Sequence, residues 1–111
     1  MIIKDILDYI GDELTEPCYC EEPDAPPASY VLLDQKGQSK TEHIKYTRLA
    51  FNSIAPSMYE AAELAEKVIV AVESAIELDN ICKIELNSNY NFTDTSSKRY
   101  RYQTLFDITH Y

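Results

Sequence analysis

Glycine is nearly absent from this chain, with only Gly11 and Gly37 among 111 residues. That excludes a glycine-rich phosphate loop, which needs several closely spaced glycines, and argues against long flexible linkers. Long apolar runs are also missing. The longest wholly apolar stretch, Val68–Val72, is far too short to span a bilayer, so no membrane partner is expected. Met1–Ile10 carries Asp5 and Asp8 inside its apolar pattern, which excludes a secretory leader and predicts a protein made and kept in the cytosol. Histidine is limited to His43 and His110, at no ligand spacing, and Cys18-x-Cys20 has no second pair to complete a metal site. The third cysteine, Cys82, alternates with Ile84 and Leu86 and reads as a small core hydrophobe. Positive charge is scarce too. Ten basic residues against nineteen acids give a net charge of −9, which disfavours contact with nucleic-acid phosphates.

What is present belongs to an ordinary soluble domain, 45% hydrophobic and 26% charged, long enough for one core without disulfides or metal. Nine tyrosines suit surfaces that are buried on one side and wet on the other, as at subunit contacts. The acidity is unevenly placed. Residues 1–28 hold eight acids against Lys4 alone, −7 of the total −9. The plain account of this excess is solvation.

Ile2, Ile3, Ile6, Leu7, Ile10 and Leu14 recur at helical spacing and predict an amphipathic helix over 2–14. Four prolines between Pro17 and Ala28 predict an irregular arm. Residues 1–28 therefore read as helix plus acidic arm, and 29–111 as a hairpin–helix–hairpin core of the same single domain. Ser29–Gln35 and Glu42–Ile54 read as strands about a turn at Lys36–Ser39. The longer strand changes phase, since Ile44 and Tyr46 share one parity and Leu49 and Phe51 the other. A bulge near Thr47–Arg48 would reconcile them. Ser57 with Glu60 forms a capping box opening the main helix. Ala61, Leu64, Ala65, Val68, Val72, Ala75 and Ile76 fill its apolar arc, and Glu60, Glu63, Glu66, Lys67, Glu73 and Glu77 lie opposite. Tyr59 and Val70 break the pattern by projecting from the charged arc. Ile81–Asn87 and Lys98–His110 predict a second hairpin around an Asn/Ser/Thr-rich loop. In the last strand Tyr100, Tyr102, Thr104, Phe106 and Ile108 share one face, with Arg99, Arg101, Gln103 and Asp107 on the other. The expected fold is α+β, an antiparallel sheet of two hairpins covered by one long helix, plus a short N-terminal helix.

No catalytic grouping emerges, so no enzyme activity and no cofactor are expected. Asn87, Asn89, Asn91 and Asp94 lack the acids and the bidentate glutamate of a calcium loop. The remaining signals are surfaces. Lys98, Arg99 and Arg101 form the one basic cluster, and Tyr59, Glu66, Val70 and Glu73 mark an irregular acidic face. Pairing of the first set with the acidic face or acidic arm of another copy gives head-to-tail contacts, which close into rings or extend as filaments.

Several stretches resemble one family: Pro23-Asp-Ala-Pro-Pro-Ala-Ser-Tyr-Val-Leu-Leu-Asp-Gln-Lys-Gly37, His43-Ile44, Ser57-Met-Tyr-Glu-Ala-Ala-Glu-Leu-Ala-Glu-Lys-Val68, Asn87-Ser-Asn-Tyr-Asn-Phe-Thr-Asp94 and Tyr100-Arg-Tyr-Gln103. They are similar to the tail terminator, or tail-completion, proteins of bacteriophages with long non-contractile tails, some of which are labelled minor capsid proteins. The resemblance covers about residues 20–111. It implies a virion structural protein, made in the bacterial cytoplasm, that forms a homo-oligomeric and commonly hexameric ring on the tail tube. Its partners are then the tail tube protein and the head–tail connector protein. Tyr59, Glu66, Val70, Glu73, Lys98, Arg99 and Arg101 become subunit or partner contacts. Two alternatives stay open: a head-completion or head–tail adaptor protein, and an acidic binding module such as an inhibitor that mimics nucleic acid. A small hydrolase or redox protein using Cys18 and Cys20 is a third.

Overall fold

The computed structural model describes residues 2–93 and 99–111. In chain order it contains α1 (Ile2–Glu13), β1 (Cys18–Tyr19), β2 (Tyr30–Thr41), β3 (Ile44–Ala55), α2 (Met58–Ser74), a single 3₁₀ turn (Ala75–Glu77), β4 (Ile81–Asn91) and β5 (Tyr100–His110). The five strands form one sheet in the order β1-β2-β3-β5-β4. Both hairpins are antiparallel and join through β3 and β5, while β1 pairs parallel to β2. The α+β architecture is the expected one.

Both helices lie on one face of the sheet, because that face carries the apolar alternation. Val31 and Leu33 of β2, Leu49 and Phe51 of β3, and Phe106 and Ile108 of β5 form one buried cluster with Ile2, Ile6 and Ile10 of α1 and with Leu64, Val68 and Val72 of α2. Ser57 caps α2, its hydroxyl accepting from the Glu60 N–H at 3.2 Å, as the capping pattern predicted. The register carries Lys45 opposite His110 and Ala55 opposite Tyr100. The two hairpin turns therefore point to opposite ends of the sheet.

Several expectations need correction. The first turn lies at Glu42-His43, not at Lys36–Ser39; Glu42 takes φ 57°, and Gly37 stays in strand conformation. The bulge sits on β2 between Gln35 and Gly37, facing Leu49 and Arg48, while β3 runs without a register shift against β5. Ile44 and Tyr46 thus stay on the face away from the helices. The second hairpin is longer than expected: Asn87–Asn91 is strand, held by cross-strand side-chain bonds from Asn87 to Asp107 at 3.1 Å and from Thr104 to Asn89 at 3.0 Å. Its last strand runs from Tyr100, with Arg99 ahead of it, and Lys98 and Asp94 lie outside the described residues. Cys82 is exposed rather than in the core, because a register shift between Ile81 and Lys83 turns Ile81 inward instead. Ile76 is 47% exposed, since α2 ends at Ser74 and the tighter 3₁₀ turn rotates it out of the apolar arc. The proline-rich arm is also partly regular, with β1 inside it and the Val31 N–H bonded to the Pro17 carbonyl at 2.9 Å.

A polar chain, buried at Thr47 and His110, runs outward from the end of β5. The His110 Nδ1 lies 3.2 Å from the Tyr111 carbonyl, which only accepts, so Nδ1 carries the proton. Nε2 then accepts from the Thr47 hydroxyl at 2.7 Å, which in turn accepts from the Gln38 amide at 2.8 Å. His110 is 2% exposed, and burial pushes its pKa below the ordinary 6.5, with Lys45 adding to the effect. A depressed histidine pKa means the unfolded chain binds the proton more readily. Stability is therefore full above pH 6.5 and declines as pH falls from there through the folded-state value. In urea titrations between pH 7.5 and about 5, the wild type loses stability toward acid and His110→Gln loses most of that slope. An unchanged slope in the variant refutes the assignment.

Candidate assembly interface

Where α1 ends beside the middle of α2, the two helices run antiparallel and leave an open groove of about 500 Å³. Leu14, Val70 and Ala71 supply its apolar surface, and Glu13, Glu16, Glu63 and Glu66 rim it. Glu16 is spoken for. Its carboxylate accepts from the Thr15 hydroxyl at 2.8 Å and pairs with the Lys67 ammonium at 3.1 Å. Partial burial opposes ionisation of Glu16, but these two contacts outweigh it and hold the carboxyl below its ordinary 4.5. Glu13, Glu63 and Glu66 are exposed and carry no ion pair among the described residues. Val70 is 69% exposed between them.

Tyr59, Glu66, Val70 and Glu73 therefore share one side of α2, as their spacing predicted, with Tyr59 77% exposed. The structure adds Glu13 and Leu14, which periodicity had assigned only to the end of a separate helix. The signal for them is tertiary, the antiparallel docking of α1 on α2.

The basic cluster is elsewhere. Arg101 pairs with Ile54 in register, on the sheet face away from the helices, and is half-buried. Arg99 is engaged within its own chain: its guanidinium donates to the Pro27 carbonyl at 2.9 Å and stacks 5.6 Å from the centre of the Tyr30 ring. The Tyr30 hydroxyl bonds Glu22, and burial followed by that carboxylate pushes its phenol up to about 12. Arg99 thus ties down the acidic arm of the same molecule. Arg99 and Arg101 are thus not brought together with Tyr59, Glu66, Val70 and Glu73; they lie on the other side of the sheet, and Lys98 lies outside the described residues.

The face away from the helices mixes buried apolar side chains, Tyr30, Ala50 and Ile54, with ion pairs. Arg48–Asp107 pairs across two strands at 2.7 Å, while Asp34–Lys36 and Lys83–Glu85 pair along β2 and β4 at 3.0 and 2.6 Å. Gln103, expected on this outer face, is there but buried, donating to Asn52 at 3.3 Å and accepting from the Tyr90 hydroxyl. One sheet edge is covered by the short β1 at Val31 and Leu32, beyond which β2 is interrupted by its bulge, and the other edge, β4, is interrupted by register shifts at Ile81/Lys83 and Leu86/Ser88. Bulged edges discourage strand addition.

Among the described residues no three His, Cys, Asp or Glu side chains converge as metal ligands, and no helix is long and apolar enough to cross a membrane. Burial pushes the Cys18 thiol up to about 11, which leaves it protonated and a poor nucleophile at neutral pH. Cys20, exposed, is raised in the same direction.

No protein-family model matches the chain, and no curated protein matches it. A solved structure does. A chain of the structure described as the virion of a native gene transfer agent particle superimposes with a TM-score of 0.56 over 95% of this chain and 83% of that one, at 12% identity. At that identity, the shared property is the fold.

Proposed function

We propose that this protein is a virion assembly protein, a tail terminator that caps the tail tube as a homo-oligomeric, hexameric ring and joins it to the head–tail connector. It works through surfaces and not by catalysis. The observation carrying this reading is the fold shared, over nearly the whole chain, with a chain from a gene transfer agent virion. The resemblance of residues 20–111 to tail terminators points to the same kind of particle. The open acidic groove and the irregular apolar exposures of α2 supply a surface suited to protein contacts. In this role the tail tube protein and the connector are its partners, and the particle's tail is its location.

Deleting the gene from the phage that carries it produces tails of uncontrolled length, without heads attached, in negative-stain electron micrographs. Tails of normal length that fail only to join heads would move the protein to the head–tail adaptor role. Normal infectious particles would remove it from assembly altogether.

A further inference from the structure

The geometry points to one contact between copies of this chain: the lysine-bearing end of the β2–β3 hairpin of one copy seats on the acid-rimmed α1–α2 groove of the next. This rests on the ring reading above and names the surfaces that make it.

Lys40 and Lys45 are directly opposite each other in the β2–β3 register, next to the turn. Like charges in that position repel and weaken the hairpin that carries them. Neither lysine has an ion pair among the described residues, whereas Lys4, Lys36, Lys67 and Lys83 each have one. The groove presents the complementary need. Glu13, Glu63 and Glu66 stand unpaired around Val70, which is 69% exposed. A lysine suits such a site because its aliphatic stem covers apolar surface while its ammonium reaches the rim.

Within one molecule the two surfaces are not paired: neither Lys40 nor Lys45 bonds a groove carboxylate among the described residues. The hairpin turn lies at the end of the sheet where β5 finishes, whereas the groove flanks the middle of α2, from Glu63 to Ala71, beside the end of α1. The molecule is 45 Å long. Two different patches of one molecule give a heterologous contact, and repetition of such a contact closes a ring when the rotation allows. The competing routes are weaker. Strand addition meets bulged edges, and Arg99, the described arginine of the basic cluster nearest the second turn, is held by Pro27 and Tyr30 of its own chain.

The test is a charge exchange read by light scattering, with Lys40→Glu plus Lys45→Glu as one variant and Glu63→Lys plus Glu66→Lys as the other. Wild type self-associates as concentration rises. Each variant alone remains monomeric, because it confronts like with like, and an equimolar mixture recovers the wild-type mass, because every contact is again between opposite charges. A photo-reactive residue at position 70, in a mixture of heavy- and light-isotope chains, cross-links to residues 36–46 of another copy. Self-association untouched by either reversal, or cross-links only to other segments, overturns this contact and leaves the ring standing. Wild type that stays monomeric to its solubility limit and gives no cross-link between copies overturns both. Circular dichroism of each variant confirms that the fold is retained.

Discussion

Phe106→Ala lowers the free energy of unfolding by about 3–5 kcal/mol, the range for removing a fully buried phenylalanine. Phe106 is 0% exposed on β5, and its ring meets Phe51 of β3 edge-on, with centroids 5.7 Å apart and planes at 89°. These two strands join the hairpins, so the pair holds the two halves of the sheet under α2. Truncation removes the transferred apolar area, leaves a cavity that a sheet fixed by β-ladders relaxes poorly to fill, and forfeits the ring pair, itself worth about 0.5–1.5 kcal/mol. Domains of this size have about 5–15 kcal/mol in total, so the variant stands near the threshold of folding. Urea unfolding followed by far-ultraviolet circular dichroism measures it, with Phe106→Leu as the milder companion. A loss under about 1 kcal/mol, the level of an ordinary surface change, would mean that the hairpins are not joined through this pair.

The second large effect tests whether α1 is an appendage. Its sequence position, ahead of an acidic, proline-rich arm, suggests a segment that the core can do without. Its packing says otherwise. Ile6 and Ile10 are 0% exposed, Ile2 is 4% exposed, and all three join the cluster under the sheet. The Tyr9 hydroxyl shares its one proton between the Ser74 carbonyl at 3.0 Å and the Glu77 carboxylate at 2.8 Å, which ties α1 to the end of α2. Ile6→Ala therefore costs about 2–5 kcal/mol, while Leu7→Ala, at a half-buried position, costs less. The same urea titration reads both. Equal, small losses would show α1 to be separable. Because α1 also forms one wall of the groove, a real loss at Ile6 couples the stability of the fold to the surface proposed for assembly.

Legibility varied with the kind of information needed. The helices were readable because periodicity and capping are local: the 2–14 prediction met Ile2–Glu13, and Ser57 caps α2 as its spacing with Glu60 implied. Tyr59 and Val70 were identifiable as exposed because their positions contradict the apolar arc of their own helix. The strand ends were not readable. Lys36-Gly37 and the Asn87–Asn91 stretch have turn preference, yet each lies within a strand. Turn preference is worth only about 1 kcal/mol per position on intrinsic scales, and a partner strand that satisfies the backbone and the asparagine amides outweighs it. Cys82 and Ile76 went wrong for a related reason. A one-residue shift in the ladder, or a change from α to 3₁₀ winding, moves a side chain to another face without any local signal.

The amino-acid order by itself determined the α+β class, the amphipathic faces of both helices and the concentration of acid in residues 1–28, because each follows from spacings of a few residues. Only the tertiary structure decided where the hairpins turn, that Arg99 serves its own acidic arm, and that Glu13 and Leu14 meet Glu63, Glu66 and Val70 in one groove. These depend on pairings between residues far apart in the chain, where burial and register outweigh what any short segment prefers.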